Sequence, residues 1–208
     1  REYALVQTMR IAEQDPMGAA RLLHRWSEVY PSYVKVNDFI WRNYPIDESQ
    51  TPPNPYWGGI LSRWYTNDLF NLSRLVDAFH LVRQTNAFEL LSAELGVDVE
   101  QKIIDDIFEP EVELANSYPI VNHNMEIQLW KGYITLARVL NEPDYIHKVV
   151  EWMEGFFASQ YLSDGFWKEV TQSYHNQSTG GLADSMEMLQ GWSAPAGYVS
   201  PRTGLTYD

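Results

Sequence analysis

The 208-residue chain contains no cysteine. Disulfides and thiolate chemistry are therefore excluded, which is compatible with the cytoplasm or with a bacterial secreted protein that does without disulfides. Cations are scarce as well: 15 Lys and Arg stand against 28 Asp and Glu, a net charge of −13. Nucleic acids are bound through clustered cations, so no nucleic-acid partner is expected. The sequence has no run of 18 apolar residues, and no membrane span is predicted. It shows no secretory signal pattern and no repeat of fixed period. It also has no His/Asp/Glu group with the spacing of a metal site, so no metal and no other cofactor is expected in this chain. Methionine is missing from the first position, which is Arg1, and a loop with proline and glycine runs up to Tyr207-Asp208. Both ends suggest a piece of a longer polypeptide.

Aromatic residues are abundant, with 8 Trp, 13 Tyr and 8 Phe. Trp and Tyr offer flat apolar faces with a polar edge, which suits the lining of a carbohydrate cleft. The alternative is that they fill the core between long helices. A chain of this length can bury one sizeable core, so residues 1–208 are read as one domain.

Apolar periodicity predicts helices over 2–30 with a break at Pro16, over 33–44, and over 57–83. The segment from Pro45 to Pro55 reads as a loop. Further helices are predicted over 86–95, closed by Gly96, and from the Asp98 N-cap to about Ser117. The last three span about 123–140, 143–158 and 181–190. Residues 160–180 read as irregular. No stretch alternates as a strand would, so the fold is predicted to be all-α, built of antiparallel helical hairpins.

Two polar clusters stand out. The first, Asn122-His123-Asn124-Met125-Glu126, opens a predicted helix with Asn122 or Asn124 as N-cap. In a helix starting there His123, Glu126 and Trp130 share a side, and the helix N-terminus favours a bound carboxylate. Ordinary capping explains the same residues equally simply. The second cluster runs from Asp164-Gly165 through Trp167, Glu169, Tyr174 and His175 to Gln177, in a stretch without helix or strand periodicity. A loop of this composition suits a ligand site, or else is a surface loop held down by Phe166 and Trp167. Glu169 either binds sugar hydroxyls or pairs with a surface cation. Together the clusters supply imidazoles, a phenol, carboxylates and amides, a set suited to removing a proton beside a carboxylate.

The order and spacing of Asn122-His123-x-x-Glu126 and Asp164-Gly165-x-x-x-Glu169-x-x-x-Ser173-Tyr174-His175 resemble the heparinase II/III-like and alginate-lyase-like polysaccharide lyases. Trp64-x-x-Asn67-Asp68, the helix around Leu75-Val76-Asp77-Ala78-Phe79, and the loop Gly191-Trp192-Ser193-Ala194-Pro195-Ala196-Gly197-Tyr198 are similar to other parts of that family. The resemblance covers most of residues 57–200. It implies an incomplete (α/α) toroid followed by a β-sandwich domain in the remainder of the polypeptide. It further implies cleavage of an anionic, uronate-containing polysaccharide by β-elimination, in the periplasm or outside a bacterial cell.

On that resemblance Asn122 and His123 neutralise the uronate carboxylate, with Glu126 as a protonated partner or orienter. Tyr174 acts as general acid, and as base for one substrate epimer. A free phenol has a pKa of about 10, so the base role needs an imidazole or cationic neighbour, for which His175 and His123 are the candidates. His175, Glu169 and Asn124 are expected to contact substrate, and Trp130, Trp167 and Trp64 to stack on sugar rings. A further histidine, and often a second tyrosine, would come from the later domain, since His24, His80 and His147 lie in helical stretches. A uronate epimerase shares the first half-reaction. A glycoside hydrolase would need a carboxylate pair, with Asp68, Asp164 and Glu169 available. A non-catalytic glycan-binding module would keep the aromatics alone.

Overall fold

The computed structural model describes residues 2–35, 58–62 and 64–207. Its contacts divide the chain into two compact units, Arg1–Pro119 and Ile120–Asp208. The described residues form α-helices and short helical turns, with no strand among them, as the sequence predicts.

In the first unit α1 (Glu2–Ala12) and α2 (Pro16–Val29) pack on α3 (Tyr65–Arg83), and α4 (Ala87–Leu95), α5 (Val99–Ile103) and α6 (Glu109–Ser117) complete it. The expected break at Pro16 is present: Pro16 occupies the first turn of α2, and the Asp15 carboxylate accepts from the Gly18 N–H at 2.9 Å. Leu69, Leu72, Leu75, Val76, Phe79 and Val82 of α3 form the buried stripe that the periodicity predicts. The helix begins later than position 57, however. The buried Asp68 carboxylate accepts the Ile60 and Ser62 N–H groups, which folds residues 60–62 into a loop over the start of α3. The Asp98 cap is also as expected, accepting from Gln101 N–H at 3.0 Å. Between α5 and α6 the chain makes one π turn, Ile104–Phe108. Pro110 follows closely; its missing N–H and its ring prevent the regular bond to Asp106, and the wider turn accommodates it. The expected helix over 33–44 and the loop from Pro45 to Pro55 lie outside the described residues, except that 33–35 are not helical.

The second unit has three helices: α7 (Glu126–Leu140), α8 (Pro143–Gln160) and α9 (Gln172–Leu189). Asn141, at φ 59°, closes α7 in the left-handed conformation that Asn tolerates, and Pro143 opens α8 immediately afterwards. α9 starts nine residues before the predicted position, so the supposed irregular stretch 160–180 is half helix. Its buried face consists of Ser178, Gly181 and Ser185, which carry no large apolar side chain for periodicity to detect. That face lies directly on α7: a Cβ at Gly181 would stand 2.3 Å from Ile127 Cγ2.

The contacts of α9 with α7 advance together along both helices. Asn124 meets Gln177, Gly181 meets Ile127, Lys131 pairs with Asp184 at 2.7 Å, and Arg138 reaches the Met188 carbonyl at 2.9 Å. The two helices therefore run parallel, with α8 as the return between them, and their N-termini lie at the same end.

Candidate functional site

The two polar clusters meet at that shared end. The Asn124 amide donates to Gln177 Oε1 at 3.3 Å, and Gln177 Nε2 lies 3.8 Å from Met125 Sδ. Tyr174 is one turn before Gln177, on the same side of α9. It is 43% exposed, where the buried stripe of the helix runs out into solvent.

The first cluster is not an Asn cap. The chain enters α7 through Asn122, whose φ of 54° is left-handed, and a turn at 124–125. The Glu126 carboxylate accepts the Val121 N–H at 2.7 Å on one oxygen and the Asn122 N–H at 2.8 Å on the other, clamping this entry. Burial raises its pKa, and the backbone N–H groups of Val121, Asn122 and His123 oppose that, as does Lys168; the outcome is a carboxyl pushed up to about 7. Near neutral pH Glu126 therefore exchanges a proton.

His123 is buried, and its Nδ1 accepts the Met125 N–H at 3.0 Å. That bond places the ring proton on Nε2. Burial, then the charge of Lys168, lower its pKa to about 4, with Glu169 opposing. His123 is a neutral imidazole at any physiological pH, a hydrogen-bond donor rather than a cation.

The second cluster is built around Trp167. An antiparallel bridge joins Tyr161 to Trp167, and the loop between them turns at Asp164-Gly165, with Gly165 at φ 81°. The Trp167 N–H donates to His175 Nδ1 at 3.2 Å, and its indole donates to Glu169 Oε2 at 2.6 Å. His175 stacks on Phe166, with ring centroids 4.4 Å apart and planes 6° apart. Val170 has φ 54° although it is β-branched and exposed, a conformation that costs about 1–3 kcal/mol. Of three non-glycine residues with positive φ among the described residues, Asn141 closes a helix and the other two, Asn122 and Val170, fall in these clusters.

The sequence-predicted residues divide accordingly. Asn122, His123, Asn124, Glu126, Trp167, Glu169, Tyr174 and His175 lie on the two segments that meet at this end. Tyr174 and His175 are on a helix, not in the expected loop. Trp130 and Trp167 are 1% and 0% exposed: Phe156 packs between them, 4.9 Å edge-to-face from Trp130 and 5.2 Å stacked on Trp167. A sugar has no open face of either indole to stack on, so the core reading of these aromatics holds for both. Trp64 belongs to the first unit, half-buried at the N-cap of α3. Glu169 is held by the Trp167 indole. Sequence reasoning missed Lys168 and Gln177. Their signal was position alone, inside the second polar stretch. Among the described residues no group of three His, Asp or Glu could hold a metal ion.

No described helix is long and apolar enough to cross a membrane. The chain matches no protein-family model, no curated protein and no solved structure.

Proposed function

We propose that this chain is the toroid part of a polysaccharide lyase that cleaves a uronate-containing polymer by β-elimination. The observation that carries the reading is the parallel pairing of α7 with α9, because it gathers a neutral imidazole, a carboxyl group titrating near 7 and an exposed phenol at one end of a three-helix unit. The C5 proton of a uronate is acidified when the neighbouring carboxylate is neutralised. The Asn122 amide is the donor for that carboxylate, since the Nε2 of His123 is buried away from solvent, and the N-termini of α7 and α9 add favourable dipoles. Glu126 fixes the backbone that carries Asn122. The C5 proton leaves to the histidine that the following domain would supply, the C4=C5 double bond forms as the C4–O bond breaks, and Tyr174 as general acid gives its hydroxyl proton to the departing oxygen. His175 lies beside Tyr174 in sequence but turns onto Phe166, so its part is to hold the loop.

On this proposal the helices belong to an incomplete (α/α) toroid, a following β-sandwich domain of the same polypeptide supplies a further histidine, and the enzyme works in the periplasm or outside a bacterial cell. The test is ultraviolet absorbance of the unsaturated uronide, with the intact polypeptide incubated separately with alginate, heparan, chondroitin, hyaluronan and ulvan. A rise on one polymer, lowered by about 10²–10⁴-fold in Tyr174→Phe, is expected. New reducing ends without absorbance would replace the lyase by a hydrolase, and C5 inversion without cleavage would replace it by an epimerase.

A further inference from the structure

The second unit contains five cations, Lys131, Arg138, Lys148, Lys168 and Arg202. Three form an ion pair or a hydrogen bond away from the clusters, and a fourth, like Lys168, lies over aromatic rings. Lys131 pairs with Asp184, Arg202 pairs with Glu151, Arg138 donates to the Met188 carbonyl, and Lys148 lies over the Tyr133 and Trp152 rings. Lys168 forms no ion pair among the described residues. Its ammonium sits 5.7 Å from the centre of the Trp167 ring.

The backbone at Lys168 is well fixed. Its N–H donates to the Gln160 carbonyl at 3.0 Å, the Tyr161–Trp167 bridge closes the loop before it, and the Val170 N–H bonds back to Trp167 at 2.9 Å. The strained Val170 lies two residues beyond. Its charge reaches both His123 and Glu126, lowering each. One oxygen of the nearby Glu169, Oε2, accepts the Trp167 indole N–H at 2.6 Å. An exposed ammonium on a fixed backbone, with no ion pair among the described residues, is a counter-charge available to an anion.

We propose that Lys168 is a specificity-determining residue, whose ammonium pairs with the carboxylate of a uronate and so selects an acidic sugar over a neutral one. This rests on reading the end of α7 and α9 as a uronate site. It goes further in naming the cation that a chain of net charge −13 must supply locally to hold an anionic ligand. A Lys is a point charge and its reach is flexible, so the site tolerates Arg but not a neutral replacement.

The experiment is calorimetric binding of unsulfated oligouronates and of their carboxyl-reduced counterparts to the full chain, at two salt concentrations. Lys168→Ala, Lys168→Arg and Tyr174→Phe are compared with wild type, and equal thermal midpoints establish that each variant is folded. Wild type is expected to bind the acidic ligand about tenfold more tightly than the reduced one. Lys168→Ala should lose that tenfold and most of the salt dependence, bind both ligands alike, and recover in Lys168→Arg. Equal weakening of both ligands, or none, overturns the proposal. Lys168-dependent binding without unsaturated product leaves the proposal standing and removes β-elimination. Product that is lost in Tyr174→Phe but unaffected by Lys168→Ala does the reverse, and binding of no oligouronate removes both.

Discussion

At the scale of single residues, burial sets protonation states. Glu126 illustrates how a buried carboxyl group ties stability to pH. Its folded pKa of about 7 lies above the ordinary carboxyl value of 4.5. The unfolded chain therefore releases this proton first, and stability falls as pH rises from about 4.5 to about 7. Glu126→Gln removes the titration and keeps the side chain uncharged at all pH values. Its NH2 cannot accept one of the two backbone N–H groups, so it should be less stable than wild type by about 1–3 kcal/mol at pH 4.5, and that deficit should shrink by on the order of 2 kcal/mol at pH 8. Urea denaturation at both pH values measures this. A variant that is destabilised more at pH 8 than at pH 4.5 would mean that the two backbone N–H groups outweigh burial and Glu126 is an ordinary anion. The two polar clusters that contain His123, Glu126, Tyr174 and His175 were legible in the sequence. The left-handed Val170 was not, because a β-branched residue resists that conformation and only the closed loop from Trp167 imposes it.

At the scale of elements, α9 is the decisive one and the one most poorly signalled. Its contact face is made of Ser178, Gly181 and Ser185, and the neighbouring Gly180-Gly181 pair lowers helix propensity. Small residues there let the helix approach α7 closely. Gly181→Ala should cost about 1–3 kcal/mol, since its Cβ meets Ile127 and the helices must separate. Adding Ile127→Ala should relieve that clash, so the Gly181 substitution should cost less in the double mutant than in wild type. Additive losses in denaturation midpoints would show that α9 does not pack there. By contrast α2, α4 and the Asp98 cap were readable in detail, because a proline, a left-handed Gly96 and a capping carboxylate act locally.

At the scale of the whole molecule, the chain's strong negative charge and its buried titratable groups set its response to pH. His147 is fully buried against Trp192, Tyr198 and Tyr207, and neither ring nitrogen has a hydrogen-bond partner among the described residues. Burial holds its pKa below the usual imidazole value; Arg202 acts in the same direction, and Asp144 and Glu151 oppose it. The unfolded chain takes up this proton first, so His147 makes stability fall as pH drops below about 6.5. His147→Phe removes that dependence. Its thermal midpoint should exceed that of wild type by about 2–4 °C more at pH 5 than at pH 7. A constant difference would mean that the ring is not buried neutral. The sequence by itself determined the all-α class, most helix positions and the composition of the two polar clusters, since periodicity, caps and side-chain chemistry are local properties. Only the tertiary structure decided that α7 and α9 run parallel. Likewise, only packing sent Trp130 and Trp167 into the core and left Lys168 exposed over the Trp167 ring. Those outcomes depend on which faces meet and what they exclude from water, and no stretch of sequence carries that alone.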